Sequence, residues 1–228
     1  MEGRDYIDIV AASINKSERK IIDSKRDFAV FMPLVMHEPT LGGEAEPCLL
    51  LELRGKNIHR QPGEISFPGG EVEKGETFKE AAIRETCEEL GIAESDIEVL
   101  AEFDSLVNYS GFTIHIYYGT IAEEALSRLS PNSVEVAEIF YVPVRLLLAA
   151  EANAEPEWNI EAGRIDYSLP HVKIVVQVPE DFPYAQLGLD HSYGWRVGDM
   201  AIPVYQYGPY GIWGITGRII QAFLTYLK

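Results

Sequence analysis

Residues 70–92 read GEVEKGETFKEAAIRETCEELGI, and their spacing decides how the rest of the chain is understood. The segment predicts a helix over Thr77–Leu90. Thr77 stands where a helix cap belongs, Glu80 three residues later completes a capping box, and Gly91 sits where a helix-terminating glycine is expected. Phe78, Ala81, Ala82, Thr86 and Leu90 recur at helical spacing and face a core. Glu85, Glu88 and Glu89 lie three and four residues apart, so all three carboxylates can converge on one side of the helix. Unpaired like charges at those spacings cost a few tenths of a kcal/mol per pair, roughly. A hard divalent cation with oxygen ligands would offset that cost. On these residues alone a solvated acidic face remains the competing reading. The context adds to the metal reading. Gly69 and Gly70 permit a tight turn and close approach of a ligand. Arg84 can orient a carboxylate or pair with phosphate oxygens.

Outward from the helix, strands and helices alternate. Apolar runs at Phe28–Met36, Cys48–Leu53, Ile97–Val107 and Phe112–Ile121 read as strands, the last two joined by a turn at residues 108–111. Val134–Phe140 leads to Pro143 and a short helix over Val144–Ala150. Ile174–Val178 and Ile202–Tyr205 look like further strands. Asp5–Ile22 has helical periodicity. So does Trp213–Leu227, whose stripe of Thr216, Ile219, Ile220, Phe223, Leu224 and Leu227 packs on a core. The mixture predicts an α/β or α+β layered fold in a single domain spanning 1–228.

The chain has 228 residues and a formal net charge of −17, which argues against nucleic acid as a partner. Two cysteines, Cys48 and Cys87, make no disulfide framework and are expected as reduced thiols in a cytoplasmic protein. The first ten residues lack the apolar stretch of a signal peptide, and no run approaches the roughly 20 residues that span a membrane. Arg54, Lys56, His59 and Arg60 form a basic island in this acidic chain. It reads either as a phosphate-binding patch or as a solubilising loop.

The stretch 70–92 resembles the Nudix box: G, five residues, E, seven residues, R, E, an aliphatic residue, any residue, E, E, any residue, G, and an aliphatic residue. Gly70, Glu76, Arg84, Glu85, Glu88, Glu89 and Gly91 all match. Seven fixed positions at ordinary usage coincide by chance on the order of once in a million chains of this length. Thr86 departs from the aliphatic slot. Upstream, LLLELRGKNIHRQPGEISFPGG (Leu49–Gly70) is similar to the signature preceding the box in the coenzyme A diphosphatase subfamily. Leu50, Leu51, Arg54, Gly63, Phe67, Pro68, Gly69 and Gly70 are in register. Departures fall at Glu52, at Gly55 in place of serine, and at His59 in place of a second arginine. Pro131–Val136 resembles the subfamily's N-x-x-E-V segment, which makes Glu135 a candidate general base with Glu138 as its rival. Ile212–Thr216 resembles an I-W-G-x-T ending, expected to pack the last helix.

The resemblance implies a Nudix fold, a mixed sheet between helices with the box as a loop-helix-loop. It implies hydrolysis of a diphosphate bond with Mg2+ or Mn2+, acting on coenzyme A or acyl-CoA to give 3′,5′-ADP and (acyl-)4′-phosphopantetheine. It assigns catalysis to Arg84, Glu85, Glu88, Glu89 and Glu135, metal binding to Glu85, Glu88, Glu89 and Gly69, and substrate binding to Arg54, His59, Arg60, Phe67 and Gly70. The alternatives are a Nudix hydrolase of ADP-ribose, nucleotide sugars or dinucleoside polyphosphates, and a non-catalytic nucleotide-binding sensor. A small nucleotide is the expected partner, and the resemblance leaves a homodimer open. Residues 151–200 match nothing in the subfamily and are expected as an insertion, a lid or a dimer contact carrying Trp158, Tyr184, Tyr193 and Trp195. His191 and Asp199 receive no role.

Overall fold

The computed structural model describes residues 21–108, 110–152, 165–174, 180–190, 192, 194 and 198–228. The helix expected over Asp5–Ile22 lies outside this set apart from Ile21 and Ile22. These two lead into a turn closed by the Ser24 N–H donating to the Ile21 carbonyl at 3.2 Å.

The main sheet is built from β1 (Arg26–His37), β2 (Glu46–Arg54), β3 (Ile65–Ser66), β4 (Gly69–Glu71), β5 (Ile97–Glu102), β6 (Leu106–Asn108), β7 (Phe112–Ile121) and β8 (Val136–Pro143). Its central order is β3-β2-β1-β7-β5, with β4 on β1, β6 on β7 and β8 on β2. The pairing of β1 with β7 is parallel and the others are antiparallel, so the sheet is mixed. Helices cover it: α1 (Phe78–Leu90), α2 (Glu123–Leu126), α3 (Val144–Ala152) and α4 (Gly214–Thr225).

Alternation along the strands divides the interior in two. Leu49 and Leu51 of β2 face a core shared with Leu147 of α3 and with Ile219, Ile220, Phe223 and Leu224 of α4. Cys48 and Leu50 face the opposite core, with Ala29 and Phe31 of β1 and Ala81, Ala82 and Leu90 of α1. The α4 stripe is therefore as expected except at its end: Leu227 is 48% exposed, beyond the last helical residue Thr225. The long strand expected over Ile97–Val107 is interrupted. The break falls after Glu102, where the Phe103 N–H donates to the Ile116 carbonyl at 2.7 Å before β6 resumes the ladder.

Residues 151–200 do not form one separate unit among those described. Ile165–Ser168 (β9) pairs with Val204–Tyr207 (β12), which pairs with Tyr210–Ile212 (β13). Ile165, Tyr205 and Ile212 are buried in the same core as α4. His171–Ile174 (β10) and Gly198–Ala201 (β11) form a second small antiparallel pair. Trp158, His191, Tyr193 and Trp195 lie outside the described residues; Tyr184 packs edge-on against Phe182.

One feature of register creates the site. β1 pairs with β2 through its second half, Leu34–His37, and with β4 through its first half, Phe28–Val30. β2 meanwhile ends on β3 and β8, through Leu53 and Arg54. The two long strands therefore splay apart toward Arg26 and Arg54, and a cleft of about 580 Å³ opens between them.

Candidate active site

The helix α1 forms for the local reasons its sequence gives. The Glu80 N–H donates to Thr77 Oγ1 at 3.2 Å, and the Thr77 N–H donates to Glu80 Oε2 at 2.7 Å. At the other end Gly91 is left-handed and its N–H reaches the Cys87 carbonyl. Thr86, the departure from the aliphatic slot, is fully buried and donates its hydroxyl to the Ala82 carbonyl at 2.6 Å. The hydroxyl is satisfied one turn back and its methyl group packs, so the helix keeps its seat.

The loop before α1 is fixed by Arg84. Its Nε and Nη2 donate to Glu76 at 3.1 and 2.9 Å, its Nη1 to Glu85 at 2.9 Å, and its Nη2 to the Glu71 carbonyl at 3.3 Å. These charge-assisted bonds hold the Glu76 carboxyl below the usual range. Arg84 does not line the cleft. Its contacts run instead to Glu76, Glu85 and the Glu71 carbonyl, so here it orients carboxylates.

Glu85 and Glu89 reach the cleft, whereas Glu88 does not. The Glu88 side chain is 58% exposed and lies 3.6 Å from Arg84, which draws it across the helix surface. Of the three box carboxylates, Glu85 and Glu89 therefore face the cleft and Glu88 stands at its margin on the helix surface. As the side chains stand, no three described His, Cys, Asp or Glu side chains gather closely enough to chelate one ion. Gly70 is required by Glu85: a Cβ there would stand 2.3 Å from the Glu85 carboxyl carbon. Gly69 donates its N–H to Glu89 Oε2 at 2.8 Å.

Behind Glu89 lies a group that sequence reasoning noted only as a departure. Glu52, on the β2 face shared with Cys48 and Leu50, is 0% exposed. Its Oε1 accepts from Ser66 Oγ at 3.0 Å, while its Oε2 is buried without a partner. Arg54 Nη1 sits 3.6 Å from Glu52 and 3.7 Å from Glu89, a loose bridge between two buried acids. Burial pushes both carboxyls up; the Glu52 charge raises Glu89 further, and Arg54 only partly opposes this. Burial likewise raises Glu85. The donor set fits a hard divalent cation. The donors facing the cleft, at Glu85 and Glu89, are carboxylate oxygens held where burial disfavours their charge, with the unpartnered Glu52 oxygen adding to that strain.

The remaining expectations divide. His59, Arg60 and Gly70 line the cleft, and Arg54 does so while engaged with Glu52 and Glu89. Phe67 also lines the cleft, though at 2% exposure it belongs to the core and presents little surface there. Glu135 lines the cleft; its carbonyl accepts the Gly55 N–H at 2.7 Å. This close approach explains Gly55, since a Cβ there would lie 2.2 Å from the Val134 carbonyl oxygen. The rival Glu138 instead accepts the Tyr210 hydroxyl at 2.6 Å, away from the cleft. Trp213, expected only to pack the last helix, is 50% exposed and lines the cleft beside Thr216, whose hydroxyl donates to the Ile65 carbonyl at 2.8 Å.

Fold and site together define a Nudix hydrolase: the NUDIX domain model matches residues 39–162, just over half of the chain, and the chain belongs to that family. Nudix hydrolases act on diphosphate bonds in phosphorus-containing anhydrides. Among individual relatives, the chain is 28% identical over 218 residues to Nudix hydrolase 3 of Caenorhabditis elegans, covering 94% of this chain and 79% of that protein. It is 36% identical over 124 residues to the uncharacterized Nudix hydrolase NudL of Pectobacterium atrosepticum, covering 54% of this chain and 60% of that protein. It is 31% identical over 156 residues to the mouse peroxisomal coenzyme A diphosphatase NUDT7, covering 63% of this chain and 59% of that protein. No helix among the described residues is long and apolar enough to cross a membrane.

Proposed function

We propose that this chain hydrolyses the diphosphate bond of coenzyme A or its thioesters, giving 3′,5′-ADP and 4′-phosphopantetheine or its acyl form. The observation that carries the reading is the inner end of the cleft, where Glu85 and Glu89 stand with the unpartnered Glu52 oxygen behind them. The similarity to a protein named coenzyme A diphosphatase supports the substrate.

Glu85 and Glu89 would hold the cation, with Glu88 and the backbone at Gly69 as the further ligands. Bound Mg2+ or Mn2+ supplies Lewis-acid polarisation of the diphosphate. Gly70 leaves room beside Glu85 for the substrate to approach. Arg84 fixes Glu85, and Arg54 keeps Glu89 from being left beside Glu52 without a counter-charge. Glu135 takes the proton of the attacking water. That water's oxygen joins one phosphorus as the bridging oxygen leaves with the other. The free thiols of Cys48 and Cys87 fit a reducing compartment, and we assign the protein to the cytoplasm.

The test is incubation with coenzyme A and Mg2+ or Mn2+, with products identified by mass. Release of 3′,5′-ADP and phosphopantetheine, lost in Glu89→Gln, is expected. Turnover of ADP-ribose or a dinucleoside polyphosphate with none of coenzyme A would reject the substrate and keep the reaction. Nucleotide binding without any hydrolysis would reject both.

A further inference from the structure

The outer end of the cleft has a chemistry that cleavage of a diphosphate does not use. Arg26, Phe28 and Val30 alternate along β1 and so share one face, and all three line the cleft. Across the parallel pairing, Arg26 is in register with Phe112 and Phe28 with Ile114, which line it too. Phe28 and Phe112 meet edge to face, with centroids 5.5 Å apart at 71°. Two guanidinium groups stand over the Phe28 ring, Arg26 at 5.8 Å and Arg60 at 5.6 Å from its centroid. Arg60 is tied to Glu71 at 2.6 Å, whereas Arg26 makes no ion pair with any described carboxylate. In a chain of net charge −17, a cleft arginine that pairs with no described carboxylate, while its neighbour Arg60 already holds Glu71, is placed to receive an anion from a ligand. An apolar aromatic floor under two forked cations suits a ligand with a flat ring and a phosphate on the same half.

We propose that Arg26 and Arg60, over Phe28, hold the nucleoside half of the substrate, and that Arg26 selects substrates carrying a phosphate monoester on that half in addition to the diphosphate. This rests on the cleft being a diphosphatase site. Arg26 belongs neither to the box nor to the basic island, and it meets Arg60 only over the Phe28 ring.

The experiment measures kcat/KM for coenzyme A and for 3′-dephospho-coenzyme A, which differ by that one phosphate, in the natural protein and in Arg26→Ala and Arg26→Lys. A charged hydrogen-bonding partner implies a preference for coenzyme A of about tenfold or more. Arg26→Ala should bring the ratio close to one, and Arg26→Lys should leave it in between, because lysine keeps the charge and loses the fork. An undiminished ratio in Arg26→Ala, or no preference in the natural protein, overturns the proposal. If neither compound is hydrolysed, the diphosphatase reading has failed separately. The subsite is then judged by calorimetric titration with 3′,5′-ADP and 5′-AMP in EDTA. Binding about tenfold tighter for 3′,5′-ADP, lost in Arg26→Ala, upholds it, and equal binding sinks it.

Discussion

The inner and outer ends of the cleft are both charged, yet they are built on opposite terms. At the inner end Glu52 and Glu89 are buried, share one arginine at 3.6 and 3.7 Å, and leave an oxygen without a partner. At the outer end Arg26 and Arg60 are exposed, and the pair between Arg60 and Glu71 is open to water. Burial makes each inner charge expensive alone and strongly coupled to its neighbours, while solvent weakens every outer interaction. On the proposed reading, the inner end would therefore supply large stabilisation to a cation and to developing charge. The outer end can supply only discrimination between ligands.

The strongest test of that contrast is Glu89→Gln. Hydrolysis should fall by about a thousandfold, since several kcal/mol of metal-borne stabilisation are lost. Steady-state rates with Mn2+ measure it, and a fall of only a few fold would move the metal site elsewhere. Next comes Arg54→Ala, which leaves two buried carboxyls facing one another and should destabilise the fold by about 3 kcal/mol. Urea unfolding reads this, and an unchanged midpoint would mean the bridge carries no weight.

The third test is pH. Glu52 and Glu89 have folded values above their ordinary 4.5, so the native state keeps protons that the unfolded chain releases. Their contribution is full below 4.5 and is lost as pH rises through the raised values. Thermal melts in EDTA should thus decline from mildly acid to alkaline pH, and saturating Mn2+ should flatten the decline. A metal-free melting temperature that climbs over that range would contradict the arrangement. The smallest effect belongs to the outer end. Arg60→Ala removes an exposed pair and should change stability by less than about 1 kcal/mol. A larger loss would show that the outer end is structural after all.

The contrast also marks what could be read in the sequence. Helix α1 was legible to the residue, because Thr77, Glu80 and Gly91 cap it through contacts within three or four positions. Spacing put Glu85 and Glu89 on one side of the helix, and the family resemblance, rather than spacing, singled them out with Gly70. Nothing in the sequence signalled that Glu88 would stand 58% exposed beside Arg84, which reaches four carboxylates or carbonyls at once. Glu52 stood out only as a lone acid in an apolar strand; its placement against Glu89 depends on how α1 lies on β2. Arg26, Phe28 and Phe112 were invisible as a group, since parallel register between strands 86 residues apart joins them (112 − 26). The place of Ile165–Ser168 in the core was equally hidden, since its pairing with Val204–Tyr207 is likewise non-local.

The splaying of β1 from β2 has an evolutionary corollary. On the proposed reading, cutting chemistry would reside on a capped helix and the strand behind it, while the face toward the rest of the ligand would lie at the ends of two diverging strands. Mutations at those tips can retune which metabolite is admitted without disturbing the machinery that breaks it, so one scaffold can be handed from one cellular task to another by changing a few letters at its rim.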